Sequence, residues 1–227
     1  VDPFVSKRTG IPLDAGFLMP PPQLHLIVSP KMESVEWISV VKAALPWLTI
    51  VHLRYKGQPD EKVLQWGKRL LAEGVPKKKL VINGSPQVAM TLGVGIHLPE
   101  DGPSPEQVRG RYGHLPMVGC SIHSVTAARK KVQAGADYLY FGHVFKTDSK
   151  PGKAPRGTET LQCVCESVNV PVIAIGGITE HNIGFVTSSG CAGVAVISTI
   201  AKANSPDIVT RRLRYFLNLN LERRDRQ

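Results

Sequence analysis

From residue 23 onward the chain alternates between short, almost unbroken apolar runs and longer segments whose apolar residues return every three or four positions. The short runs are Leu24–Val28, Ile50–Arg54, Leu80–Asn83, Gly95–Leu98, Met117–Cys120, Tyr138–Phe141, Val172–Ile175 and Val194–Ile197. Their length and β-branched content read as strands. Helical periodicity opens near Met32, Asp60, Pro86, Pro105, Val125, Thr158, Glu180 and Pro206. Strands that each lead into a helix predict an α/β protein, a single parallel (β/α)8 TIM barrel. An open doubly wound sheet usually has fewer units and a glycine-rich first turn. Strands apolar on both faces suit a barrel wall buried between its interior and a helical shell. Gly135, in Ala134-Gly135-Ala136-Asp137, is placed to cap the helix before the sixth strand, and Ser189-Gly190-Cys191 repeats the design before the eighth.

The barrel is expected over residues 23–222. An extension over 1–22, ending in Pro20-Pro21-Pro22, precedes it, and a short basic tail over 223–227 follows. The 227 residues suit one domain, and 42% hydrophobic with 20% charged residues is the balance of a soluble globular protein. No apolar run approaches the roughly 18 residues that span a bilayer, and no basic-then-apolar leader opens the sequence, so a cytoplasmic location without a membrane partner is expected. Cys120, Cys163, Cys165 and Cys191 show neither C-x-x-C nor metal-finger spacing, which favours free or buried thiols over a disulfide framework or a zinc site.

The formal net charge of +10 admits nucleic acid or small phosphate anions as partners. Its placement favours the second. Lys77 to Lys79, Arg129 to Lys131, and Arg211, Arg212 and Arg214 are scattered clusters with no interleaved aromatics, and read as solvated surface.

In such barrels chemistry collects at the C-terminal ends of the strands. After strand seven come Gly176 and Gly177, which let an anion approach the main chain with no Cβ in the way; the bland alternative is a tight turn. After strand eight come Ser198 and Thr199, where a further helix begins and offers amide donors to a phosphate. After strand six, His143 opens a loop with Thr147, Ser149, Lys150 and Lys153, hydroxyls and cations suited to closing over an anion or simply to facing solvent. An imidazole, ionising near about 6.5, is the natural proton shuttle at neutral pH. On position alone, catalysis and capping of the strand fit His143 equally well. His25, His52 and His97 lie within strands and read as satisfied interior groups, His114 and His181 as surface residues, and His123 as a second-rank candidate. No histidine–carboxylate set has metal-binding spacing.

Several segments together resemble the thiamin phosphate synthase/TenI superfamily, from Leu24 to about Phe216: His52-Leu-Arg-Tyr-Lys56, Ile82-Asn-Gly84, Gly95 to Leu98, Gly119 to His123, Asp137 to Gly142, Pro171 to Ile178 and Gly193 to Ile200. The resemblance implies that the main-chain amides of Gly176, Gly177, Ile197 and Ser198 bind a substrate phosphate. It places Ser121 beside a thiazole ring and adds Arg54, Lys56, Asn83 and Lys150 to the substrate site.

Two departures separate the superfamily's activities. Its synthases carry an acidic signature after strand three that, with an acid after strand four, holds magnesium; here Asn83-Gly84-Ser85 has no carboxylate, and Asp101 stands alone. Their T-x-T-K-like loop after strand six is replaced by His143-Val-Phe-Lys-Thr-Asp-Ser-Lys150. That loop resembles the TenI-type thiazole tautomerases, which implies an isomerase with His143 as catalytic acid and base, a thiazole phosphate as small-molecule substrate, and no cofactor or metal. Thiamin phosphate synthase is the alternative, and a non-catalytic regulatory protein binding a thiamin precursor is a third reading. No nucleic-acid partner is expected; a homodimer is compatible.

Overall fold

The computed structural model describes residues 21–28 and 36–224, the last five as helix backbone alone. Most of the expected extension (1–20), Ser29, the helix start near Met32 and tail residues 225–227 lie outside the described residues.

The strands are β1 (Gln23–Val28), β2 (Ile50–Leu53), β3 (Leu80–Asn83), β4 (Gly95–Leu98), β5 (Val118–Ile122), β6 (Tyr138–Gly142), β7 (Val172–Ile175) and β8 (Gly193–Val196). They close in sequence order, all parallel, with β8 paired to β1. The helices between them are α1 (Glu36–Ala44), α2 (Asp60–Ala72), α3 (Pro86–Leu92), α4 (Pro105–Tyr112), α5 (Val125–Gln133), α6 (Gly157–Ser167) and α7 (Ile183–Ser188), followed by α8 (Ser198–Ala201) and α9 (Pro206–Arg224). The single (β/α)8 barrel read from the hydrophobic pattern is the fold.

Local chemistry sets the ends of these elements. Ser85, Ser104 and Ser124 accept hydrogen bonds from the third helical amides of α3, α4 and α5, and Gln107 completes a capping box. Gly135, just beyond α5, has φ +89°, a conformation that penalises any Cβ.

Several expected boundaries shift, three of them near the site. β5 runs on through Ser121 and Ile122, because these pair with Tyr140 and Phe141 of β6. β2 stops at Leu53 and leaves Arg54 beyond the strand. α7 begins at Ile183 rather than near Glu180, because the Asn182 side chain folds back over the preceding loop. Its Oδ1 accepts from Thr179 N at 2.8 Å and its Nδ2 donates to the Gly177 carbonyl at 2.8 Å.

Two distinct cores result. The larger fills the space between barrel wall and helices, with Leu26, Leu53, Ile82, Leu98, Leu139 and Leu213 among its fully covered members. The smaller lies inside the barrel, where Ile27, Tyr138, Tyr140, Ile173 and Ala195 meet. Alternation along the strands sends His25, His52, His97 and Ser121 to this same interior. Gly119 makes room for it: a Cβ there would collide with the Tyr138 ring.

The basic clusters are only partly solvated, which corrects the sequence reading. Lys131 is 8% exposed. The Arg214 guanidinium is drawn in against the Trp47 and Pro22 carbonyls and Thr49 Oγ1, and Lys79 Nζ donates to the Leu48 carbonyl at 2.7 Å. These cations tie α9 and the turn before β3 to carbonyls at the N-terminal end of the barrel.

Candidate active site

A cavity of about 650 Å³ opens where the strands deliver their C-terminal ends. All ten residues expected at the site line it. Gly176 and Gly177 follow β7, and Ile197 and Ser198 follow β8. Arg54 and Lys56 come from the loop after β2, while Asn83 ends β3 and Ser121 lies in β5. His143 and Lys150 belong to the loop after β6. Barrel closure sets the glycine segment of β7 and β8 across the mouth from the ends of β3 and β4.

The glycine segment has a second reason for its composition. Gly176 and Gly177 have φ +105° and +66°. A Cβ on Gly176 would strike His143, and one on Gly177 would strike the Lys146 carbonyl and approach Phe145 Cβ to 2.9 Å. The glycines therefore admit the loop after β6 as well as keeping amides bare. Among the described residues no turn or loop bond uses the Gly176 or Gly177 amide. Ser198 and Thr199 open α8, where helix geometry leaves amides without an intrahelical carbonyl.

His143 is 8% exposed and held from several sides. Val144 N and Phe145 N donate to the Ile175 and Gly176 carbonyls at 2.9 and 3.0 Å, joining the loop to β7. Arg156 N donates to the His143 carbonyl at 2.9 Å, and Arg156 Nε and Nη1 reach the Gly142 and His123 carbonyls at 3.1 and 3.2 Å. His143 Nε2 lies 3.2 Å from the Lys153 carbonyl. A carbonyl oxygen can only accept, so Nε2 carries the proton and Nδ1 keeps the basic lone pair.

Below the cavity the interior side chains form two hydrogen-bonded strings. One runs from Asn83 Oδ1 through His52 (2.8 Å) and the Tyr140 hydroxyl (2.6 Å) to His25 (2.6 Å) and Gln23 (2.9 Å). The other runs from Ser121 Oγ to His97 Nε2 (2.9 Å) and from His97 Nδ1 to the Tyr138 hydroxyl (3.1 Å). Burial holds the His52 imidazole down at about 4, against the opposing pull of its bond to Asn83. Burial, reinforced by the neighbouring His52, holds His25 and His97 well below the ordinary histidine range, and burial pushes both tyrosines well above theirs. The barrel centre is polar and neutral.

His25, His52 and His97 are satisfied interior groups, and His114 and His181 are exposed, as the sequence suggested. Sequence reasoning passed over three features. His97 and Tyr140 line the cavity floor, level with Asn83 and Ser121 in the strand register. Glu100 lines the rim and accepts from His123 N at 2.9 Å. Arg156 fastens the loop from a position that no periodicity marks.

Among the described residues no three His, Cys, Asp or Glu side chains converge on a metal-sized site, and no helix is long and apolar enough to cross a membrane. None of the four cysteines forms a disulfide.

Comparison with known proteins agrees with the barrel fold. The chain is 39% identical to a thiamine-phosphate synthase of Chlorobium luteolum over 140 residues, 61% of this chain and, just under two thirds, 66% of that protein. It is 36% identical to a thiamine-phosphate synthase of Roseiflexus sp. over 183 residues, 78% of this chain and 76% of that one. The solved thiamine phosphate pyrophosphorylase from Pyrococcus furiosus superposes with a TM-score of 0.77 at 28% identity, covering 88% of this chain and 98% of its own. Residues 24–200, from β1 into α8, match one family, and the chain belongs to it: the thiamine monophosphate synthase (TMP-TENI) family.

Proposed function

We propose that this protein is a thiazole tautomerase: it aromatises a 2-carboxy thiazole phosphate tautomer by histidine-mediated proton transfer. The observation that carries the reading is the state of His143. Its ring lines the cavity beside the glycine segment, with Nε2–H spent on the Lys153 carbonyl. Among the described residues its Nδ1 meets no hydrogen-bonding partner, so a base is presented to whatever occupies the cavity. The phosphate rests on the bare amides of Gly176, Gly177, Ile197 and Ser198, and Lys150 closes from the loop. Nδ1 takes the proton from ring C2; the resulting imidazolium returns it to the exocyclic carbon beside C5. One C–H bond breaks and another forms, no atoms are gained or lost, and aromatisation drives the step. Positioned acid–base assistance of this kind is worth roughly 10²–10⁴-fold.

The names of the relatives favour a second reading, magnesium-dependent coupling of a pyrimidine diphosphate to thiazole phosphate. Arg54 and Lys56, in the loop after β2, would serve a second anion. The residues present do not fit the magnesium that such coupling implies. Gly84 stands where the acidic signature would be, and Glu100 is engaged by His123, which leaves Asp60 and Asp101 among the lining carboxylates, and among the described residues no three His, Cys, Asp or Glu side chains converge on a metal-sized site.

Proton NMR of the C2 hydrogen of the tautomer, with and without Mg²⁺, separates the two. The tautomerase loses that signal without metal, and His143→Gln binds the ligand but turns over at least about 100-fold more slowly. Near wild-type turnover by His143→Gln, or thiamin phosphate formed with Mg²⁺ while the C2 proton stays in place, would overturn the reading.

A further inference from the structure

We infer that His97 and Tyr138 are positioning residues that lock the Ser121 hydroxyl into one role, a hydrogen-bond donor to a carboxylate oxygen of the ligand. The carboxylate rests on the tautomerase reading; the donor polarity does not.

The polarity follows from proton counting along the shorter string. Tyr138 is 3% exposed, and among the described residues its hydroxyl has a single hydrogen-bonding partner, His97 Nδ1 at 3.1 Å. A buried O–H with no acceptor is costly, whereas a hydroxyl oxygen that merely receives nothing loses less. Tyr138 therefore donates to Nδ1. His97 is 3% exposed, and its burial beside His52 and Arg54 keeps the ring neutral, so its one proton sits on Nε2. Nε2–H donates across 2.9 Å to Ser121 Oγ. With that lone pair occupied, the Ser121 proton turns toward the cavity that Ser121 lines.

Such a donor is preorganised. It sits on a strand of the barrel wall, and its direction is set by two buried side chains rather than by solvent. Removal of the C2 proton shifts negative charge onto the adjacent carboxylate oxygens, so a fixed donor binds the transition state more tightly than the ground state. Gly119 belongs to the same device, since its lack of a Cβ lets the Tyr138 ring reach His97.

The test has two independent parts. In the first, ¹⁵N NMR of histidine-labelled protein reads the His97 tautomer. Wild type should show protonated Nε2 and bare Nδ1, and Tyr138→Phe should reverse or mix the two while the remaining histidine signals stay in place. A wild-type His97 protonated on Nδ1 overturns the inference. The second part is a double-mutant cycle on turnover. Ser121→Ala and Tyr138→Phe should each lower kcat by roughly 10²-fold with a much smaller change in KM, the scale of losing one oxyanion donor. The double variant should be no slower than Ser121→Ala alone, because both changes remove the same proton from the cavity. Additive losses would mean that Tyr138 acts through stability alone and would overturn the positioning role. Wild-type protein that binds the tautomer without turning it over would overturn the proposed function and the carboxylate assignment, while the tautomer measurement would still decide the donor polarity.

Discussion

Lowering the pH from 7 to 5 should destabilise this protein through its three interior histidines, by about 2 kcal/mol from His52 alone. In the unfolded chain an imidazole ionises near about 6.5, so over this interval it passes from about one-quarter to almost fully protonated. His52, held at about 4 in the barrel, stays mostly neutral. The unfolded state thus binds more protons, and stability falls with falling pH. For a folded-state imidazole lowered in this way, the stabilisation is complete above the unfolded value and is lost between there and the folded one. Linkage gives about 1.8 kcal/mol for His52 between pH 7 and 5. His25 and His97, lowered by the same burial, add to the loss in the same direction. Domains of this kind have about 5–15 kcal/mol in total. Urea titrations followed by far-UV circular dichroism should therefore show the midpoint falling by at least about 0.9 M, the share of His52 at a slope of about 2 kcal/mol per molar. The surface pair Lys42–Glu73 holds its carboxyl below the ordinary range and so fails only at lower pH, outside this window. A midpoint constant within about 0.3 M from pH 7 to 5 would show that the interior rings are not held neutral and would refute the argument.

Two further perturbations separate binding from positioning. Gly177→Val forces a β-branched residue into φ +66° and drives its Cβ at the Lys146 carbonyl, so the loop carrying His143 should shift. Steady-state kinetics should show kcat falling together with phosphate affinity, and a variant that loses affinity alone would confine these glycines to the anion. Arg156→Gln removes the guanidinium bonds to Gly142 and His123 but keeps the backbone bond to His143. Turnover should drop by about tenfold, less than the roughly 100-fold that a full ångström of misplacement can cost, with the thermal midpoint within about 2 °C of wild type. An unchanged kcat would remove Arg156 from the positioning of His143.

The fold was legible because each strand is a compact apolar run and each helix keeps its own period. The boundaries that moved did so for reasons periodicity does not carry: a ladder partner for Ser121, a folded-back amide at Asn182. At the site, residues directly after strands were readable from position. His97 and Tyr140 were not, since a residue buried in a barrel wall looks the same in sequence whether it fills the core or floors the cavity. The Cβ conflicts at Gly176 and Gly177 were equally hidden, because the atoms they would meet come from a loop some 30 residues earlier in the chain. Arg214 looked like solvated charge because the carbonyls that receive it belong to the opposite end of the sequence.

The loop after β6 is stitched at both ends, to β7 by Val144 and Phe145 and to its own beginning by Arg156 and Gly157. Between the stitches, the bonds at its tip are local: Lys150 N to the Thr147 carbonyl, and Ser149 N to Thr147 Oγ1. Lys153 joins this tip to the root of the loop: its N–H donates to the Lys150 carbonyl, and its carbonyl receives His143 Nε2. A ligand that displaces residues 147–150 therefore acts on the imidazole through Lys153. Natural variation at the tip can tune both which anions enter and how the proton-transferring ring is aimed.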